Sequence, residues 1–360
     1  MDRFYSLTHS PIEFHFRQNP RDFVVDEIPL YEFSGDGEHL VLHIRKKKLS
    51  TWDMLELLAS YLGIQSKEFG YAGLKDKNAL TKQYISIHKK YEEKLEDFKH
   101  DNIKILSKTY HNNKIKMGHL KGNRFFIRLK KVSSVNAQKI TTALESIAHF
   151  GMPNFFGYQR FGIHGDNYKK GEAILKDGAK EKNVKLKRMY VNAYQSHLFN
   201  LWLSRRLEMH SLLSSFGADE ISDTLNMSTA DVKKLQAQKH PFKLIDGDVM
   251  EHYPHGRLFH YESDEEDIER FENRQISPTG LLAGKKTTHA TSLSHLIEKE
   301  FDEEINMDGA RRYAWVFPDK VEGEYKENEA WFELHFSLPK GSYATVLIEE
   351  IAKQEIRAED

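Results

Sequence analysis

The stretch Gly70–Gln83 contains the residues whose types and spacing best suit catalysis. Glycines before Tyr71 and two residues after it favour a turn, and Asp76 then follows between Lys75 and Lys77. Because nearby cations favour the ionised form of an acid, we expect the Asp76 carboxylate to be a permanent anion, suited to nucleophilic attack rather than proton donation. The alternative is a solvated surface turn of alternating charge, which a bare Lys-Asp-Lys more often marks.

Two regular elements are expected to hold this stretch in place. Ser50 and Asp53 have capping-box spacing, apolar residues recur after them with helical period, and Gly63 suits the end of the helix. After the aspartate, Gln83–His88 alternates in the manner of a strand. The sequence therefore places Asp76 in a loop between two regular elements, a suitable position for a reactive group.

The remaining patterns indicate strands before and after helices. Runs of β-forming residues predict strands at Phe23–Val25, Leu40–Ile44 and Phe332–Phe336. Amphipathic periodicity predicts a helix over Val135–Phe150, and a closing helix is expected from Tyr343 to Lys353. Since no glycine-rich βαβ fingerprint or phosphate-binding loop motif is found, we expect an α+β catalytic domain with an antiparallel sheet.

Composition excludes some chemistry. The chain has 360 residues, so two domains are expected, and it has no cysteine, which excludes disulfides, thiolate nucleophiles and cysteine-bound zinc. With 30% charged residues, no apolar run of membrane-spanning length and no signal-peptide pattern, a cytoplasmic protein is expected. No metal site is expected, because the spacing of His252, His255 and His260 fits no common ligand template. We expect a monomer, because no apolar stripe suggests self-association.

The net charge of −1 does not indicate a nucleic-acid partner, but the charges are segregated along the chain. Basic clusters occur at Arg45–Lys48, Lys89–Lys90, Lys130–Lys131 and Lys180–Arg188, and an acidic cluster occurs at Asp264–Asp267. Such a distribution is compatible with a phosphate-facing surface and an acidic back. The alternative is a lysine-rich solvated face.

The residues around Asp76 resemble the signature of the TruD family of tRNA pseudouridine synthases. The segment Ala72–Gln83 reads AGLKDKNALTKQ and matches the family's Lys-Asp-Arg/Lys triplet, in which the aspartate is the catalytic residue. A second segment, Pro153–Gly162, reads PNFFGYQRFG and is similar to a family motif, with Phe155 in place of a tyrosine. Similar segments occur along nearly the whole chain.

The resemblance implies partners for the Asp76 carboxylate. Arg17 occupies the place of a basic residue that could hold the carboxylate bidentately, although an ordinary edge-strand arginine is an equally good interpretation. Lys75 is expected to bind substrate beside Asp76. Gln159 and Arg160 are expected at the rim of the active site, where they could contact base and phosphate groups.

A Gly-Asn-x-Phe motif resembles the family's uridine pocket and supplies Asn123 and Phe125. A flat ring would restrain a detached uracil by stacking, worth roughly 1–3 kcal/mol per base, without fixing its in-plane angle. Asn123 could read polar groups of the base or the sugar. The alternative for Phe125 is plain core packing.

The resemblance also implies an organisation and an activity. It divides the chain into a pseudouridine synthase catalytic domain, residues 1–153 plus 311–360, and an inserted α/β TRUD domain, residues 154–310. The implied activity is the isomerisation of uridine to pseudouridine in tRNA, at position 13, without a cofactor and without a protein partner. We expect the target uridine to flip out of its stack to reach a buried carboxylate, with the basic clusters gripping the RNA backbone. Attack of Asp76 at C1′ and abstraction of the C2′ proton are both open.

Two other functions fit part of the pattern. A non-catalytic RNA-binding or tRNA-chaperone protein would keep the same scaffold. A metal-dependent nuclease or phosphoryl-transfer enzyme would use Asp76 together with His and Glu ligands. An Asp76→Asn variant separates the first alternative from an isomerase, and insensitivity to EDTA removes the second.

Overall fold

The structure, a computed structural model, describes residues 3–162 and 164–356. Contacts divide the described chain into two compact units. The sheet unit comprises Ile12–Leu144 and Pro318–Gly341, and the helical unit comprises the described residues up to Pro11, Glu145–Phe317 and the described residues from Ser342 onward. The bounds of these compact units differ from the expected domain boundaries at residues 154 and 310. The division into a catalytic domain and an inserted domain stays a prediction.

The strands and helices of the described residues are numbered in chain order. The strands are β1 (Phe23–Pro29), β2 (His39–Lys46), β3 (Gly70–Tyr71), β4 (Leu80–His88), β5 (Ile103–His111), β6 (Leu120–Lys130), β7 (Met152–Pro153), β8 (Val249–His252), β9 (Leu258–His260), β10 (Ile276–Leu282), β11 (Ala310–Tyr313), β12 (Trp315–Val316), β13 (Asp319–Lys326) and β14 (Trp331–Pro339). The helices are α1 (Thr51–Leu62), α2 (Ser134–Phe150), α3 (Asn167–Lys176), α4 (Val184–Ser215), α5 (Ala218–Leu225), α6 (Thr229–Ala237), α7 (Glu265–Glu272), α8 (Ser292–Glu298) and α9 (Ala344–Ala352). Of the helices in this part of the chain, none has the length and apolar character to cross a membrane.

The sheet unit is built on one mainly antiparallel sheet. Its strands follow the order β13-β14-β6-β1-β4-β2-β5, and β3 pairs with β4 beside this path. Strands β1 and β4 run parallel, whereas β1 is antiparallel to β6 and β4 is antiparallel to β2 and β3. The expected α+β fold with an antiparallel sheet is confirmed.

Alternation along the strands gives this sheet one apolar face. In β6, Phe125, Ile127 and Leu129 are buried, and the residues between them are partly exposed, as predicted. Apolar residues on β2 and β4 pack against α1. Leu55 and Leu58 of this helix are buried in one cluster with them. Each fully buried side chain of this size contributes about 1.5–3 kcal/mol. The helix and the strand on either side of the Asp76 loop are therefore held by a common core.

The caps that the sequence predicts fix both ends of α1. The Ser50 hydroxyl accepts from the Asp53 N–H at 3.1 Å, and the Asp53 carboxylate accepts from the Ser50 N–H at 2.8 Å. Gly63 ends the helix with φ of 69°, in the left-handed region that glycine adopts without strain. The helix consequently begins at Thr51, a buried residue whose hydroxyl faces the Asp76 loop.

The helical unit is organised around α4, a helix of 32 residues that packs on α3 and β10. A buried ion pair anchors its middle, where Arg206 donates to the two carboxylate oxygens of Asp248 at 2.7 and 3.0 Å. The Ser294 hydroxyl donates to the same carboxylate at 2.6 Å. Removing one partner of such a pair costs about 3–5 kcal/mol, because it leaves an uncompensated buried charge. The predicted closing helix corresponds to α9.

Candidate active site

Asp76 lies in a loop before β4, as the sequence predicts, but the element directly before the loop is the two-residue strand β3 rather than helix α1. Its side chain is exposed, so the expectation of a buried carboxylate is wrong. The inward position of the loop is taken instead by Lys75, which is 8% exposed and has polar partners inside the sheet unit. The carboxylate of the next residue, Asp76, stays at the surface. A substrate can therefore reach it directly.

Lys75 is held by an acid and an amide. Its Nζ lies 2.7 Å from Glu27 Oε2 and donates to Asn123 Oδ1 at 2.6 Å. Glu27 is buried on β1, directly opposite Asn123 in the register of β1 and β6. The positive charge of Lys75 is thus paired with the Glu27 carboxylate. Lys75 therefore does not simply flank Asp76 as a free cation. The same contact brings two predicted site residues, Lys75 and Asn123, together.

Lys46 fixes the main chain of the loop. It is completely buried, and its Nζ donates to the carbonyl oxygens of Leu49 at 2.7 Å, Asp76 at 3.0 Å and Lys75 at 3.4 Å. Removal from water lowers the pKa of Lys46 to about 8; the Asp76 charge opposes this shift and the Lys75 charge adds to it. The sequence analysis grouped Lys46 with its basic neighbours, but alternation along β2 buries it and exposes Arg45.

Thr51 and Gln83 complete the support of the loop. The Lys75 N–H donates to Thr51 Oγ1 at 2.9 Å, and the Thr51 hydroxyl donates to Gln83 Oε1 at 3.1 Å. Both side chains are buried. Helix α1 and strands β2 and β4 therefore each contribute a side chain to this network. The prediction that a helix and a strand hold the loop is confirmed.

The lowered pKa of Lys46 predicts a pH dependence of stability. An unfolded chain releases this proton near pH 10.5 and the folded protein near 8, so between these values the unfolded chain binds more protons and the free energy of unfolding rises with pH. The cost of burying the charge is present below pH 8 and is relieved above it. Between pH 7 and pH 9.5 we expect the unmodified protein to gain about 2 kcal/mol relative to a Lys46→Met variant. Urea unfolding of both proteins at each pH measures this difference, and an identical pH response of the two would contradict it.

Phe125 lies in the core of the sheet unit and is 6% exposed. Its ring stacks on Phe336 with centroids 5.3 Å apart and lies 6.2 Å from the ring of Phe23. The core-packing alternative describes this environment, and stacking of Phe125 on a uracil stays a prediction. Asn123, on the same face of β6, is partly exposed.

The other predicted site residues belong to other segments of the chain. Arg17 is exposed in the segment before β1, and its ion pair with the aspartate stays a prediction. Gln159 and Arg160 belong to the helical unit, in a short 3-10 turn. Gln159 accepts from the Thr345 hydroxyl at 3.3 Å, and Arg160 donates to Ser196 Oγ at 2.9 Å. Their place at the rim of the active site also stays a prediction.

Sequence reasoning did not single out Glu27, Lys46 or Thr51. The signal for the first two was present, because each is a charged residue at an inward position of an alternating strand. Charged residues at such positions are almost always paired or functional. Over residues 3–162 and 164–356, no three acidic or histidine side chains are arranged to hold a metal ion.

Comparison with known proteins identifies the family. The family model described as tRNA pseudouridine synthase D (TruD) matches residues 2–182 and 179–351. Proteins named tRNA pseudouridine synthase D from Sulfurimonas denitrificans and Nitratiruptor sp. are 62% and 56% identical to this chain; the matches cover 99% and 100% of it and 100% of each relative. The chain therefore belongs to the tRNA pseudouridine synthase D (TruD) family.

A solved structure supports the same fold. The crystal structure titled putative tRNA pseudouridine synthase D from Methanosarcina mazei matches with a TM-score of 0.68. The match covers 98% of this chain and 96% of that chain, at 22% sequence identity. At that identity the likeness concerns the fold, which both chains keep over nearly their whole length.

Proposed function

We propose that this protein converts uridine to pseudouridine in tRNA, that the target is position 13, and that Asp76 is the catalytic carboxylate. Membership of the TruD family supports uridine isomerisation as the reaction. The observation that carries the assignment to Asp76 is the fixed main chain of its loop. The buried Lys46 donates to the Asp76 carbonyl and the buried Thr51 accepts from the Lys75 N–H, while the Asp76 side chain stays exposed.

The reaction exchanges one bond of the ribose for another. The N1–C1′ bond breaks and a C5–C1′ bond forms, C5 loses its proton and N1 gains one, so the product has the same atoms as uridine. We assign to the Asp76 carboxylate the step on the ribose that releases the base. Attack at C1′ gives an ester that C5 displaces. Abstraction of the C2′ proton gives a glycal, to which C5 adds at C1′ while the proton returns to C2′. Both routes need an ionised carboxylate beside the sugar.

Exposure and anchoring have different roles in this mechanism. Because the carboxylate is exposed, the bound RNA has to displace water from it, which strengthens its interaction with developing charge on the ribose. The target uridine must leave its stack for the carboxylate to reach the sugar. Because the main chain at Asp76 is already fixed, little ordering of the loop is needed when RNA binds.

Tritium release tests the activity and the position together. Incubation with an unmodified tRNA transcript containing 5-tritiated uridine should release tritium to water, since C5 loses its hydrogen only when it becomes the glycosidic carbon. A transcript with cytidine at position 13 should release none. Release that persists from this second transcript would contradict position 13, and absence of release from both, with tRNA bound, would contradict isomerisation. The assay is run in EDTA with the RNA checked for cleavage, which separates it from metal-dependent hydrolysis.

A further inference from the structure

A row of charged residues crosses the face of the sheet opposite α1. The strand register places Lys104 beside Arg45, Arg45 beside Lys82, Lys82 beside Asp26, and Asp26 beside Arg124. These five residues, the cross-strand row, come from five adjacent strands and contain four cations and one carboxylate. Adjacent strands lie roughly 4.8 Å apart, so the row forms a continuous ladder of charge.

The cations of the cross-strand row are accessible to solvent. Arg45, Lys104 and Arg124 are exposed, and the side chain of Lys82 is 35% exposed. Asp26 lies 3.7 Å from Lys82 Nζ and 3.9 Å from Arg124, distances at which an ion pair is loose. These cations therefore remain available to another anion.

The single acid of the row is ionised. Burial alone would raise the pKa of Asp26, but the His43 ring, whose Nε2 lies 3.7 Å from the carboxylate, and the charges of Lys82 and Arg124 outweigh it and hold the pKa below its usual value. At neutral pH the carboxylate offsets one of the four positive charges. The row as a whole stays strongly positive on a chain whose net charge is −1.

Aromatic pairs border the row on both sides. On one side, His43 lies opposite Tyr84 in the register of β2 and β4, and the rings stack with centroids 4.4 Å apart. On the other side, Phe126 lies opposite His335, with ring centroids 5.0 Å apart. These rings are at least partly exposed. A sheet face that combines cations with accessible rings has the chemistry of an RNA-binding surface.

The row ends in a basic groove at the edge strand β5. A cavity of about 850 Å³ lies there, and its lining includes five exposed cations, Arg45, Lys47, Lys99, Lys104 and Lys108, with two carboxylates among the other lining residues. An excess of positive charge in a concave surface concentrates anions. The groove extends the row beyond the last strand.

We propose that the cross-strand row and the basic groove bind the phosphate backbone of the tRNA. The inference rests on the proposed function for the identity of the RNA. Strand β4 contributes Lys82 to the row only two residues after its start at Leu80, and the Asp76 loop leads directly into that start. RNA bound along the row therefore passes the strand that positions the loop. The cross-strand row, rather than each basic run of the sequence, forms the phosphate-binding surface.

The salt dependence of binding tests this surface. We expect an Arg45→Gln, Lys82→Gln double variant to bind unmodified tRNA more weakly than the unmodified protein, because two phosphate contacts are lost. The slope of log K against log salt should become shallower by about 1.4–1.8, at about 0.7–0.9 for each contact. The matched control is Lys89→Gln, Lys90→Gln, which removes two exposed lysines of the same unit outside the row and should leave the slope unchanged.

A variant that is expected to strengthen tRNA binding shows whether misfolding could explain the weaker binding of the double variant. Asp26→Asn removes the one negative charge of the row, and we expect it to bind tRNA more tightly, which a damaged protein would not do. An unchanged salt slope in the double variant, or an equal change in the lysine control, would overturn the proposed surface. Isomerisation by the unmodified protein is measured beside these assays, so a failure of the surface and a failure of the proposed function give different results.

Discussion

Replacement of Asp76 by asparagine is expected to reduce tritium release from tRNA by roughly 10⁴-fold or more, the usual consequence of removing a reacting group. The amide has nearly the shape of the carboxylate, but it is neutral and can neither attack C1′ nor abstract the C2′ proton. Because the side chain is exposed, the substitution should leave the free energy of unfolding within about 0.5 kcal/mol of its original value. Binding of tRNA, measured by titration, should be retained.

The control for this variant is the same chemical change elsewhere. Asp97 is another exposed aspartate of the sheet unit, and Asp97→Asn should keep full activity. If Asp76→Asn released tritium at a rate close to normal, the aspartate would not be the reacting group. If the unmodified protein bound tRNA but released no tritium, the alternative of a non-catalytic RNA-binding protein would be favoured.

Replacement of Lys46 by methionine is expected to lower kcat by about 100-fold, because small displacements of a catalytic group have effects of this size. Methionine fills much the same space but cannot donate to the carbonyl groups of Leu49, Lys75 and Asp76, which Lys46 now anchors. Buried carbonyls without donors cost about 1–3 kcal/mol each, so the loop should shift to find other partners. The Kd for tRNA should change little, since Lys46 is completely buried. Single-turnover kinetics combined with tRNA titration separates the two effects.

A second variant keeps the test decisive if Lys46→Met folds poorly. Thr51→Val preserves the volume of a buried side chain and removes the acceptor of the Lys75 N–H, so it should lower kcat in the same direction by a smaller factor. Lys89→Met, the same change at an exposed lysine, serves as the control. Normal kcat in the Lys46 and Thr51 variants would show that the network does not position the aspartate.

Local signals were sufficient for much of this fold. Helix α1 was predictable because Ser50, Asp53 and Gly63 act within a few residues of the bonds that they make. The loop position of Asp76 followed from the elements on either side of it. The alternation of β6 separated its buried residues from its exposed ones, because side chains in a strand point to opposite faces in turn.

Contacts between distant segments were not predictable in this way. The ion pair of Lys75 with Glu27 joins residues from different elements, and it depends on the register between β1 and β6. That pair holds Lys75 at an inward position, whereas Asp76 beside it is exposed. The sequence also did not show which residues of a basic cluster reach the surface, because β2 buries Lys46 and exposes Arg45.

The sequence by itself determined the family, the α+β class and the loop that carries Asp76, because motifs and periodicities act over short stretches of chain. The tertiary structure decided which side chains surround that loop and which cations align across the sheet. The physical reason is that strand register joins residues far apart in the chain, such as Arg45 with Lys82 and Asp26 with Arg124. Alternation within one strand shows which face of the sheet a residue lies on. Only the pairing with another strand shows which residue lies beside it on that face.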